Sequence, residues 1–501
     1  MKKPAKLTVL IAGVAMSTAV AIQAAPRTNH RLKRDAEIIV EVDRSLATLT
    51  EEGIINSQKA VESRIAKYVT TNFIVTDRFH VLNNAFVIRV NSGYIDSIKQ
   101  VPGVKSVTKN EAHWVSEVYD QNDGLYIPLN GEGEGEGQDE DDEEPSYGGP
   151  TNYSAVTMNK PGSDDYHGGT TNEGAGTVIA VLDNEFYFRA EHIENKNGTD
   201  VTVDSWEHRT FTRLEDSVVK RFDFKTPGTE VEPARGTSAE QEASKQAHLN
   251  WIKGTHAATK HPVDEFDVNE DYDTDPNKEE TIANTPLGKE GSLYFNSKVP
   301  FYFDYGGEKK VHSDYASFDY DVSSTISYHG SHVASIATGN DENYKGIAPE
   351  AQLVCMKVFC EYRPTEIEEA VGQQAGSYGY DIPILKALED CIILGVDGIN
   401  MSLGNSLDDF GKDSITNKTL ERLAKGDAEL GIEPILTSIS AGNDGKASYA
   451  FAGGYGNWTF DMVETGCQSG HSNINEIMGV ASGQPTHKFY TTAFKLGDDY
   501  I

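Results

Sequence analysis

A histidine, an aspartate and an asparagine stand at points of this 501-residue sequence where chemistry can collect. His329 lies in Tyr328-His329-Gly330-Ser331-His332-Val333-Ala334, Asp183 directly follows an apolar run at 177–182, and Asn443 closely follows another at 434–440. An imidazole titrates near neutrality and can take up and return a proton. A carboxylate can hold it in one tautomer, and a carboxamide can donate to an oxygen that gains charge. Each also has a plainer reading alone, since a strand-end aspartate often caps or turns, an isolated histidine often packs, and an asparagine often sits in a turn.

The elements that must position these residues are legible as apolar runs. Residues 177–182, 353–359, 396–402 and 434–440 are short and nearly continuous in hydrophobicity, and helical patterns such as Ile384, Leu388, Cys391 and Ile392 separate them. That alternation predicts an α/β unit over about 165–483, a parallel sheet covered by helices on both faces. Functional groups in such sheets gather beyond the carboxyl ends of the strands, which puts Asp183 and Asn443 on the functional rim. The 146 positions between Asp183 and His329 exceed one compact crossover, so residues 195–295 read as a surface insertion.

A second, smaller unit precedes it. Ile38-Ile39-Val40-Glu41-Val42 reads as a strand, Val61, Ile65, Tyr68 and Val69 recur at helical spacing, and Phe73-Ile74-Val75 and 85–90 are strand-like. A short helix at 94–100 and a last strand at 104–107 complete the order β-α-β-β-α-β over 36–113. That order fits a small α+β, ferredoxin-like split βαβ unit with both helices on one face of an antiparallel sheet. Between the two units, residues 131–145 hold nine acids, four glycines and no base, so 114–164 reads as a self-repelling linker.

Composition restricts the partners. With 78 Asp plus Glu against 44 Lys plus Arg and a formal charge of −34, the chain repels nucleic-acid phosphates, and no nucleic-acid partner is expected. Lys2, Lys3 and Lys6 precede an uncharged stretch at 7–22 that ends at Gln23-Ala24-Ala25, which reads as a secretory signal over 1–25 rather than a membrane span. Export makes oxidation of Cys355, Cys360, Cys391 and Cys467 chemically accessible. Cys360 and Cys467, each leaving a strand, are the expected bridge, because Cys355 and Cys391 fall on apolar faces of a strand and a helix.

Five segments carry a resemblance that spacing does not show. They are Val178-Ile179-Ala180-Val181-Leu182-Asp183, the His329 phrase, Gly346-Ile347-Ala348-Pro349-Glu350-Ala351, Asn400-Met401-Ser402-Leu403-Gly404 and Ser440-Ala441-Gly442-Asn443-Asp444. In order and content they resemble the landmarks of the subtilisin family of serine proteases. Lys298-Val299-Pro300-Phe301 is similar to a stretch of its lactocepin-like branch, and Val101-Pro102-Gly103-Val104 is similar to the close of the family's inhibitory propeptide. The resemblance implies His329 as general base, Asp183 as the carboxylate that orients it, and Asn443 as oxyanion donor. It implies that Ser402, Leu403 and Gly404 pair with an extended peptide, and that Ala441 and Gly442 line the pocket for the residue before the cut. His332 is expected to pack, and Val333, Ala334, Ile336 and Ala337 to face inward.

The sequence departs from the family in two places. Asn184-Glu185 follow the aspartate where Ser or Thr and then Gly are usual, and no Gly-Thr-Ser-Met-Ala-like phrase lies between Asn443 and Ile501. Gly236-Thr237-Ser238-Ala239 precedes His329 and runs into Glu240-Gln241-Glu242, so the expectation is a chain cut short before its serine, with 484–501 opening a further segment. No cofactor is required. Calcium as a structural ion is the alternative reading for Asp267, Asn269, Asp271, Asp273 and Asp275, whose sixth place holds Tyr272 rather than glycine, and no metal ligand is assigned. The implied protein is a secreted, extracellular, or envelope-associated, peptidase zymogen. Its partners are extended protein substrates and its own propeptide; the rivals are a pseudoprotease that binds peptides without cutting and an inhibitor-like module.

Overall fold

Strands alternate their side chains between two faces, so each apolar run above needs a cover on both sides. A computed structural model of the chain describes residues 34, 36–69, 73–110, 113–114, 173–184, 186, 188, 190–196, 199–205, 209–228, 232–258, 285–289, 292–306, 329–340, 345–362, 376–403, 415–440, 478–480, 495–496 and 499–500. The expectations for the 1–25 signal, the linker after residue 114, the Asp267–Asp275 run, Gly404, Ala441, Gly442, Asn443 and Cys467 lie outside the described residues.

The N-terminal unit contains β1 (Ala36–Val42), α1 (Glu51–Val69), β2 (Ile74–Phe79), β3 (Ala85–Val90), α2 (Ile95–Lys99) and β4 (Val104–Lys109). Its antiparallel sheet has the order β2-β3-β1-β4. Ile38, Val40, Phe86, Ile88 and Val90 pack on Val61, Ile65, Val69, Ile95 and Ile98, which places both helices against one face. Of the residues at helical spacing, Tyr68 is exposed in the last turn of α1.

A two-residue strand, β5 (His113–Trp114), follows, and then β6 (Val178–Asp183) and the hairpin β7 (Ala190–Lys196) and β8 (Thr199–Ser205). Next come α3 (Ser238–Ile252), β9 (Phe301–Asp304), α4 (His329–Thr338), β10 (Gln352–Lys357), β11 (Phe359–Tyr362) and β12 (Gly376–Gly379). The chain continues through α5 (Asp381–Leu394), β13 (Gly398–Met401), α6 (Ile415–Lys425), β14 (Leu436–Ser440) and β15 (Met478–Val480).

Six of these strands form one parallel sheet of order β15-β14-β13-β6-β10-β9. On one face Val178, Ala180, Leu182, Val354, Met356, Phe301 and Phe303 pack with α3, α5 and α6. On the other, Val181, Leu353, Cys355 and Tyr302 pack with Ala334 of α4 and an aromatic group of Phe188, Phe211 and Phe295. The two buried free cysteines, Cys355 and Cys391, therefore lie on opposite faces of the sheet.

The stretch expected as a surface insertion is anchored in this core. Ile252, Ala257 and Leu293 belong to the main apolar cluster, and Trp251 Nε1 donates to the Leu394 carbonyl at 2.9 Å. A buried polar clamp holds the loops together: Arg235 donates to Glu232 at 3.0 Å and Asp216 at 2.7 Å and contacts Asp223, while the Tyr294 hydroxyl donates to Glu232 at 2.9 Å. Lys298 is fully buried, and its Nζ donates to the carbonyls of Pro349 and Ala351 at 2.7 and 2.8 Å. Burial lowers its pKa to about 7, against smaller opposing effects of Cys355 and Glu350.

Candidate active site

β6 delivers Asp183 to the carboxyl end of the sheet, with its side chain 1% exposed. His329 opens α4 on the face covered by the Phe188 cluster, and its Nδ1 lies 2.8 Å from Asp183 Oδ1. An ionised carboxylate only accepts, so Nδ1 carries the proton and donates it, leaving the lone pair on Nε2. The imidazole is one-fifth exposed, open enough to meet a reactant, while the aspartate is shut away from water.

Asn184 connects the two elements. Its backbone N–H donates to Asp183 Oδ1 at 2.8 Å, and its side-chain Oδ1 accepts the Gly330 N–H at 3.1 Å. Gly330 belongs to the first turn of α4, whose amides have no carbonyl partner within the helix. Asp183 Oδ2 is buried and has no hydrogen-bond partner among the described residues. The inward face of α4 carries Gly330, Ser331, Ala334 and Thr338, with 330, 334 and 338 at four-residue spacing. Val333 is half-buried and packs on the Phe188 cluster as expected, whereas Ile336 and Ala337 are only half-buried and His332 is exposed, which corrects the expectation for those three: the helix offers the sheet a narrow stripe.

Ser402 and Leu403 leave β13 one residue past Met401, which pairs with Leu182, so they reach the same rim as Asp183. Leu403 is buried in the main cluster and Ser402 is half-buried, accepting from Asn400 Nδ2 at 3.0 Å. The substitute phrase Thr237-Ser238-Ala239-Glu240 proves to be a helix start. The Thr237 hydroxyl accepts the Glu240 N–H, and the Glu240 carboxylate accepts the Thr237 N–H, a capping box with Ser238 exposed in the first turn of α3.

Sequence reasoning missed the strand β12, because Gly-Ser-Tyr-Gly has neither alternation nor β-branched residues. β12 forms a three-stranded antiparallel sheet with β11 and β5, in which Tyr378 pairs with Trp114 and Gly379 with His113. β11 begins two residues after the end of β10, so this edge lies at the same end of the parallel sheet as Asp183. An extended segment of the chain itself is thus added to an edge at the functional end.

The sequence profile described as the subtilase family matches residues 174–469. The chain belongs to the subtilase family. Within it, this subtilase is 31% identical over 187 residues to the PI-type proteinase of Lactococcus lactis subsp. cremoris, covering 36% of this chain and 9% of that protein. It is 29% identical over 217 residues to the C5a peptidase of Streptococcus pyogenes, covering 41% of this chain and 15% of the peptidase. The chain thus spans a small part of the length of these relatives. The crystal structure of an epidermin leader peptide processing serine protease from Staphylococcus aureus aligns with 82% of this chain and 61% of its own at 12% identity, with a TM-score of 0.34.

Proposed function

We propose that this subtilase is a secreted zymogen of a serine endopeptidase acting on extended protein substrates, with residues 36–113 as its inhibitory propeptide. The observation that supports it most is the 2.8 Å His329–Asp183 contact at the same end of the sheet as an edge, β12, that takes an extended strand. His329 Nε2 accepts the proton of an attacking serine hydroxyl and returns it to the leaving amine, while Asp183 holds the tautomer and stabilises the imidazolium. Asn443 donates to the tetrahedral oxyanion, and Ser402–Gly404 and β12 hold the substrate strand between them. No metal or organic cofactor takes part in this chemistry.

The docking of the N-terminal unit supports its inhibitory role. The sheet face opposite its helices, with Ile39, Phe79, Ala85 and Val87, packs on Ile382 and Leu385 of α5 and Ile415 of α6. Asp77 pairs with the buried Lys386 at 2.6 Å, and the Thr419 hydroxyl donates to Asn83 at 3.1 Å. From there the chain passes through β4 into β5, which pairs antiparallel with β12 as a substrate strand would in the proposed enzyme.

A second reading, a pseudoprotease that holds a peptide on β12 without cutting it, is favoured by Asn184-Glu185, which follow the aspartate where the family usually has Ser or Thr and then Gly. Casein turnover by the complete product of the reading frame separates the two. Turnover that is lost in His329→Ala supports the peptidase, and peptide binding without turnover supports the pseudoprotease.

A further inference from the structure

α5 reads in sequence as a helix with a polar side, yet Lys386, Glu389 and Asp390 are all completely buried. Two neighbours cover them, the N-terminal unit and the insertion. Glu389 Oε1 accepts the N–H groups of Leu82 and Asn83, both at 3.1 Å, and Oε2 accepts that of His80 at 3.2 Å. The same Oε2 lies 3.1 Å from Nε2 of His256, which belongs to the turn after α3. Asp390 fixes that turn by accepting the His256 and Ala257 N–H groups at 2.7 and 3.1 Å and the Tyr305 hydroxyl at 2.7 Å. The His256 ring also lies 5.5 Å from the Phe79 ring and 6.2 Å from the His80 ring, both in the N-terminal unit.

We infer that the insertion is a recognition element for the N-terminal unit, with His256 positioning Glu389 to receive the 80–83 loop. A carboxylate buried on a helix has several rotamers open to it, and three backbone donors reward only one of them. The imidazole N–H fixes that rotamer at the same Oε2 that accepts the His80 N–H, and its ring supplies the wall on which Phe79 rests. The insertion thereby restricts the catalytic unit to a propeptide whose second strand ends in an aromatic residue followed by a tight, amide-presenting loop. The inference rests on reading 36–113 as the unit that docks and inhibits, and it names the partner surface of that reading.

Amide hydrogen exchange of the intact chain tests it and reads docking whether or not the N-terminal unit inhibits. His256→Phe keeps a ring against Phe79 but removes the donor, and His256→Gln keeps a donor within reach of Glu389. The expected result is exchange faster by about tenfold at His80, Leu82 and Asn83 in His256→Phe, with protection restored in His256→Gln and unchanged in β10 of both. Wild-type protection of the 80–83 loop in His256→Phe, or equal exchange in the two variants, overturns the inference. If β10 also exchanges faster in His256→Phe, the Gln variant decides: an unprotected loop over a protected β10 overturns it, and a protected loop upholds it.

Discussion

Asp183 Oδ1 receives two donors at 2.8 Å, the imidazole of His329 and the N–H of Asn184, and the geometry of the proposed base is fixed by that one oxygen. The carboxylate and the histidine were singled out in sequence by the resemblance of their phrases to the subtilisin family, since local pattern alone reads as a strand-end acid and a histidine beside a helix. The role of Asn184 was not legible, since its bond to Gly330 joins residues 146 positions apart. In the serine-bearing enzyme, Asp183→Asn should leave the fold intact and lower kcat by about 10⁴, because the amide presents the imidazole in the wrong tautomer. Peptide turnover beside a circular-dichroism melt checks this, and a loss of less than about tenfold would remove Asp183 from the mechanism.

α3 shows why the insertion was misjudged as surface. Most of its positions are polar, and a stripe of His248, Leu249, Trp251 and Ile252 faces the core. His248 Nε2 donates to the Pro300 carbonyl at 3.0 Å, and burial lowers its pKa from 6.5 to about 4, with that hydrogen bond opposing. Between those values the unfolded chain binds a proton that the folded chain refuses, so this site is neutral to stability above pH 6.5 and destabilises as pH falls toward 4. His248→Gln keeps a donor for Pro300 but does not titrate. The unfolding free energy from urea titrations should therefore fall with acidification more steeply in the wild type than in His248→Gln, by up to about 3 kcal/mol; parallel curves would contradict it. Four strands of the parallel sheet, β6, β10, β13 and β14, were legible as short apolar runs, whereas β9 and β15 were not among the expected strands. β12 was not legible, because Gly-Ser-Tyr-Gly has neither alternation nor β-branched residues and one of its two partners, β5, lies outside this unit.

At the scale of the whole molecule, the polar residues of α5 are an interface rather than a solvated side, which no reading of one helix reveals. Burial opposes the charged form of His256, but the hydrogen bond to Glu389 and the charges of Asp390 and Glu389 outweigh it against Lys386, and its pKa is raised. The other titratable groups facing it are His80, across the docking surface, and the Tyr305 hydroxyl on Asp390. A raised pKa contributes stability that is complete below the ordinary value of 6.5 and is lost as pH rises through the folded value. The excess protection of the 80–83 loop in wild type over His256→Phe should accordingly shrink as exchange is measured above pH 6.5, after correction for intrinsic rates. An excess that grows with pH would contradict it.

His329 and Asp183 stand 2.8 Å apart as the proposed base and its orienting carboxylate, and the proposal is that no residue of this sequence serves as the serine nucleophile. The direct measurement is labelling of the purified 501-residue chain by a fluorophosphonate probe, with casein cleavage followed in parallel. The account predicts no stoichiometric labelling and no cleavage at an enzymatic rate. Stoichiometric labelling with cleavage would contradict it and reveal a nucleophile within the chain, with Ser238 the first position to substitute.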